Sequence, residues 1–250
     1  MTSTHQTSTR ATRQRQLALA ATRLTLAEAQ PIAQRLLEEF APYCTWIQIG
    51  GSVRREKPEG IKDIELVMIP IIQPLQTDLF NPVILSDAGA EVPPPLPNPD
   101  DSLVLKHAQR LIKEGTFEYR LIEKQGQLQT HFGPKSQRVY YHYPASPNPA
   151  IKQSSNQAIA VDLISIISPA QPGLKILLAT GPKDFNQRVV TNRQFGGLLP
   201  NDCFMKEGAI YRRYNHPEHK GLVNELIPTP TEESVFELLG MTYIEPKDRK

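Results

Sequence analysis

Hydrophobic and polar positions along this chain switch repeatedly between helical and strand periods, and turn residues punctuate the changes. Residues 26–40 read as a helix opened by Thr25 as N-cap, with Glu28 three positions on at capping-box spacing. Strand-like Thr45-Trp46-Ile47-Gln48-Ile49 follows, then a Gly-Ser turn leading into a short helix, then a strand over residues 64–69. Residues 101–114 read as a helix stopped by Gly115. Strand-like pieces cover residues 118–122, 127–131 and 138–143, and an apolar run, residues 158–167, carries one acid, Asp162. Short helices are expected over residues 173–179 and 184–190, strands over 203–204 and 209–213, and a last helix over 232–239. No internal repeat is present. The pattern predicts an α+β fold, with a mixed sheet in the first unit and a smaller C-terminal unit.

Punctuation sets the organisation. Residues 1–22 carry Arg10, Arg13 and Arg15 with no acid among Thr, Ser, Gln and Ala, the composition of a disordered basic tail. Eight prolines lie between Pro70 and Pro99, so residues 70–100 are expected to be a loop or insertion. The first folded unit then spans 23–168 and the second 169–250. A chain of 250 residues with 39% hydrophobic content can bury a substantial core. Its net charge is only +2, so any nucleic-acid surface must be a local patch. Cys44 and Cys203 have neither disulfide-framework nor metal-ligand spacing, which suits a reducing, cytoplasmic setting. No apolar run approaches the roughly 20 residues of a membrane span.

The candidate chemistry sits at Gly50-Gly51-Ser52-Val53-Arg54-Arg55, followed by Asp63-Ile64-Glu65. A Gly-Ser turn offers backbone N–H groups and a hydroxyl to phosphate oxygens. Strand alternation puts Asp63 and Glu65 on one face, where both reach the same magnesium site. Asp162 is the candidate third carboxylate, because an acid inside an apolar strand is costly unless it is paired or bound to metal. The competing reading makes it an aspartate partnered by a lysine or arginine.

These motifs resemble the nucleotidyltransferase palm of the family X, polymerase β-like DNA polymerases. The resemblance extends to Thr180-Gly181-Pro182-Lys183-Asp184-Phe185-Asn186, and to a thumb-like end from Thr231-Glu232-Glu233-Ser234-Val235-Phe236 to Arg249. It implies a palm over 23–168 and a small α/β thumb over 169–250. It also implies two Mg²⁺ ions (or Mn²⁺) held by Asp63, Glu65 and Asp162, with Asp162 accepting or orienting the primer 3′-hydroxyl proton. Gly51, Ser52 and Arg55 would bind the triphosphate, Thr180 and Gly181 would lie against the sugar, and Asn186 would touch the base pair edge. Arg54 reads equally as a surface charge. The implied activity is DNA-directed addition of a nucleotide from a dNTP to DNA in short-gap repair. The alternatives are an RNA, protein or small-molecule acceptor, or a non-catalytic DNA-binding remnant.

The sequence also departs from that pattern. Glu65 stands where many relatives have Asp, which predicts low activity or a leaning towards Mn²⁺. Leu178-Ala179 replaces an aromatic pair, which predicts weaker discrimination against ribonucleotides. The short stretch before residue 26 leaves no room for a lyase or helix-hairpin-helix unit. Weak, salt-dependent DNA binding by a monomer is therefore expected, without lyase or proofreading activity and with a protein partner as a possible source of DNA grip.

Overall fold

A computed structural model describes residues 12, 14–73, 98–124, 127–143, 157–215 and 221–250. Most of the proline-rich insertion, the loop at 144–156 and the His216–His219 stretch lie outside these residues. The first helix, α1, covers residues 14–20, and α2 (Leu26–Phe40) follows with the reciprocal Thr25–Glu28 capping box. Strand β1 (Cys44–Ile49), the short helix α3 (Gly51–Arg54) and β2 (Asp63–Pro70) come next. After α4 (Leu103–Lys113), strands β3 (Phe117–Tyr119), β4 (Leu121–Lys124), β5 (Gln127–Thr130), β6 (Phe132–Gly133), β7 (Ser136–His142) and β8 (Ala158–Ser165) complete the first unit.

The main sheet runs β1-β2-β8-β7-β3, with β6 paired to β7, while β4 and β5 form a separate hairpin. Only β2 and β8 pair in parallel, so the sheet is mixed as expected. Alternation divides each central strand between two layers. Ile64, Leu66 and Met68 of β2, with Ile159, Val161 and Leu163 of β8, enter the main core with α2 and α4. The opposite face carries Asp63, Glu65 and Asp162. At one end of that face Val67 and Ile69 pack beside Ile176, and at the other Leu19 of α1 meets Tyr140, Ala158 and Ala160. The expectation of a tail without structure therefore needs correction over residues 14–20. Gln, Arg, Leu and Ala at 14–20 favour a helix, and tertiary contact through Gln16 and Leu19 holds it against the sheet.

The second core gathers Leu174 and Leu177 of α5 (Pro172–Thr180), Phe185 and Val189 of α6 (Lys183–Val190), and Val235 and Phe236 of α7 (Glu232–Leu238). They pack on a three-stranded antiparallel sheet ordered β11-β10-β9, formed by β9 (Cys203–Lys206), β10 (Ala209–Asn215) and β11 (Leu222–Ile227). Sequence reading missed β11, whose edge position leaves Leu222 and Leu226 exposed and its pattern without a clear buried face. A Cβ on Gly173 would lie 1.9 Å from the Thr231 carbonyl oxygen, so glycine is what lets α5 approach the start of α7.

A buried ion network joins the two units. Glu232 is 4% exposed and accepts from Arg54 across the boundary (2.5 Å) and from Arg249 (2.8 Å), which is 0% exposed. Arg54 also donates to the Thr180 hydroxyl (2.8 Å). Its reading as a surface charge is thus replaced by an interdomain role. Arg249 lies over Phe236 and Tyr243 and donates to the Ile244 carbonyl. Burial pushes the Glu232 carboxyl up, but the hydrogen bonds and charges of Arg54 and Arg249 outweigh it and hold it below its ordinary 4.5.

Removing the acid from such a network strands a buried cation, so Glu232→Ala is expected to lower the unfolding free energy by about 3–5 kcal/mol near neutral pH. A depressed carboxyl stabilises above its ordinary value, and that stability disappears as pH falls through the folded value. Urea unfolding should therefore show the wild type losing its advantage over Glu232→Ala in acid. An advantage that persists unchanged in acid would contradict this assignment.

Candidate active site

Parallel pairing of β2 with β8 brings the acids together. Glu65 stands directly beside Asp162, and Asp63 beside Ala160. Across β8 from the other side, Arg138 of β7 faces Asp162. Arg120 Nη1 donates to Asp162 Oδ1 (3.3 Å), and Arg138 Nε lies 3.6 Å from Asp162 Oδ2. The structure therefore realises the arginine partnership for Asp162, on the same face as the other two acids. Sequence reasoning gave no sign of Arg120, which lies between two short strands far away in sequence.

Glu65 is a strongly perturbed carboxyl. Burial, then the charges of Asp63 and Asp162, push it up to about 8 against the opposing pull of Arg55 and Arg138. Burial likewise raises Asp162, with Arg138 and Arg120 acting in opposition. The longer side chain of Glu65 finds its space over Gly51. A Cβ there would lie 1.5 Å from Glu65 Oε2, and Gly51 has φ +63°. Glycine is thus needed twice at this position, for the backbone conformation and for the carboxylate resting on it. The Gly50 N–H donates to the Glu65 carbonyl (2.7 Å), which ties the turn to the strand.

Opposite the acids stands the first turn of the second unit. Arg55 donates to the Thr180 carbonyl and to the Ser52 hydroxyl (3.0 Å). Burial draws the Arg55 guanidinium below its ordinary value, partly offset by Glu65 and Asp63. The Asn186 amide donates to the Leu178 carbonyl (2.6 Å), leaving its buried oxygen without a protein partner. Together Ser52, Arg55, Asp63, Glu65, Thr180, Gly181, Lys183 and Asn186 line one cleft of about 420 Å³. Gly51 lies at its floor beneath Glu65, and Asp162 stands beside Glu65 within the sheet.

The donor set suits a hard divalent cation, since all candidate ligands are carboxylate oxygens. Burial beside Asp63 and Asp162 disfavours the charged form of Glu65, and a bound cation would relieve that cost. Among the described residues no three Asp, Glu, His or Cys side chains converge as a ligand set. Asp63 and Glu65 form the part of the set that opens to the cleft, while Asp162 is turned to its arginines.

A carboxyl raised from 4.5 to about 8 favours the uncharged folded form, so its stability contribution is complete below 4.5 and is lost as pH rises through about 8. Without divalent cations, thermal stability should therefore fall over that range, and Glu65→Gln should flatten the decline. Added Mg²⁺ should raise the melting temperature of the wild type more at the alkaline end than at the acid end. A Glu65→Gln profile parallel to that of the wild type would contradict the assignment.

Residues 175–250 match the family model for the DNA polymerase beta thumb. No curated protein matches the chain. Among solved structures the fold is similar to polymerase beta of Leishmania infantum, crystallised as a ternary P/T complex. The TM-score is 0.59 at 17% identity, over 94% of this chain and 80% of the other. Residues 175–250 are thus similar to a DNA polymerase beta thumb, and the chain as a whole shares the fold of a polymerase beta structure.

Proposed function

We propose that this protein is a DNA polymerase that adds a nucleotide to a primer 3′-hydroxyl, acting on short gaps in DNA repair. One observation carries the proposal. The Ser52–Arg55 turn, the Asp63–Glu65 pair and the Thr180–Asn186 segment line a single cleft, although they come from two units and widely separated parts of the chain. Arg55 and Lys183 line it together with Asp63 and Glu65, the mixture of charges that a triphosphate with its counter-ion requires.

In this reading Arg55 and Ser52 hold the β- and γ-phosphates, with the guanidinium already fixed by the Thr180 carbonyl. Thr180 and Gly181 lie against the sugar, and the orphaned oxygen of Asn186 turns to the base edge. Asp63 and Glu65 would hold magnesium, or manganese, with Asp162 as the third carboxylate, oriented by Arg120 and Arg138. The metal supplies charge neutralisation for the triphosphate and a lower pKa for the attacking hydroxyl. Asp162 receives or orients that proton. The primer oxygen bonds to the α-phosphorus as the bond to pyrophosphate breaks, and pyrophosphate departs with its charge held by Arg55. Leu178 and Ala179 form a small wall on the sugar side, which supports the expectation of weak exclusion of ribonucleotides.

The test is primer extension on a one-nucleotide gap and on a single-stranded primer, with Mg²⁺ or Mn²⁺. Template-matched addition is expected, reduced about 10²–10⁴-fold by Asp162→Ala. Arg55→Ala should weaken dNTP use by about tenfold or more through loss of a charge-assisted contact. Addition to single strands alone would indicate a terminal transferase. Absence of addition under every condition would redirect the assignment to another acceptor or to a binding remnant.

A further inference from the structure

Gln16 of α1 reaches the acid-bearing face and has no role in the mechanism above. It is 8% exposed. Its Nε2 donates to the Tyr119 carbonyl and to Glu118 Oε1, both at 3.1 Å, and its Oε1 accepts from the Leu121 N–H, also at 3.1 Å. Tyr119 and Leu121 are the two neighbours of Arg120.

The sheet itself does little to fix the chain at this point. Pairing of β3 with β7 ends at Tyr119, and β4 pairs with β5 in a different sheet. Arg120 sits at the break between the ladders, its own N–H donating to the Arg138 carbonyl (3.2 Å). The Gln16 amide therefore supplies the bonds that a ladder would have given to the peptide groups on either side of Arg120. The helix carrying Gln16 is anchored in turn. Arg15 pairs with Glu118 (2.7 Å), the Tyr140 hydroxyl donates to the Gln16 carbonyl (3.4 Å), and Leu19 packs on Tyr140, Ala158 and Ala160.

We propose that Gln16 is a positioning residue: by bracketing the backbone of Arg120 it aims that guanidinium at Asp162, so that α1 is part of the catalytic face. The kinetic half of this proposal rests on the nucleotide-addition reading, whereas its structural half does not. A helix that merely covered Tyr140 would leave Arg120 and the chemical step untouched.

The experiment pairs a double-mutant cycle with a spectroscopic readout. Gln16→Leu removes all three amide bonds. Gln16→Glu keeps the size of the side chain but sets a carboxylate against Glu118 and the Tyr119 carbonyl. In the full chain, each is expected to lower kcat about tenfold or more, with the KM for dNTP changed less than about twofold. Added to Arg120→Gln, neither should reduce kcat further. The Arg120 Nε–Hε signal in ¹⁵N spectra, assigned by its loss in Arg120→Gln, should be sharp in the wild type and broadened or shifted in both Gln16 variants. An unchanged Arg120 signal in both, or kcat losses that multiply in the double variants, would overturn the proposal. If the wild type adds no nucleotide, the function reading fails, and the Arg120 signal alone then decides for or against this positioning role.

Discussion

The architecture depends on one buried acid held by two guanidiniums from different parts of the chain. Glu232, at the first turn of α7, binds Arg249 within the C-terminal unit and Arg54 from the short helix of the first unit. An isolated carboxylate at that depth would be costly, and its two partners turn the cost into a geometric requirement. Arg54 precedes Arg55, and it also binds the hydroxyl of Thr180, whose carbonyl Arg55 engages. The contact that joins the units therefore also sets the two walls of the cleft against each other. Packing of Val67, Ile69 and Ile176 supports the same junction, but apolar contact alone would tolerate sliding that a directional, charge-assisted hydrogen bond does not.

Charge inside the cleft is arranged in the opposite sense. Around Glu232 two arginines outweigh burial and its carboxyl is depressed, while around Glu65 burial, joined by Asp63 and Asp162, raises the carboxyl to about 8. The first environment is complete in the protein itself and serves stability. In the proposed reading a bound cation completes the second. Asp162 stands between these conditions, buried beside Glu65 yet paired with Arg120 and Arg138. These two arginines make the third carboxylate compatible with the fold before any substrate arrives.

Much of this was legible in the sequence wherever the signal was local. The capping box of α2 and the β1–turn–β2 unit each lay within a few residues, and the apolar run around Asp162 marked β8. What escaped depends on pairing across distance. Arg120 lies between two short strands with no periodicity of its own, and Gln16 sits in a composition that reads as a polar tail. Each is given its environment by tertiary contact, Arg120 by Asp162 and Gln16 by Tyr119 and Leu121. The role of Arg54 was hidden in the same way, because its partner Glu232 lies in the last part of the chain. Strand β11 was missed because an exposed edge strand lacks the alternation that marks a buried face.

The central claim is that the nucleotide site consists of two halves held in register by the Arg54–Glu232 contact. The most direct measurement is the dNTP affinity of Arg54→Met by calorimetry, with Mg²⁺ and no primer. This change keeps the apolar stem of the side chain and leaves the Glu232–Arg249 pair intact within the C-terminal unit. The account predicts a folded protein that binds dNTP about tenfold more weakly, although Arg54 itself is not among the residues lining the cleft. A folded Arg54→Met protein with wild-type dNTP affinity would contradict it.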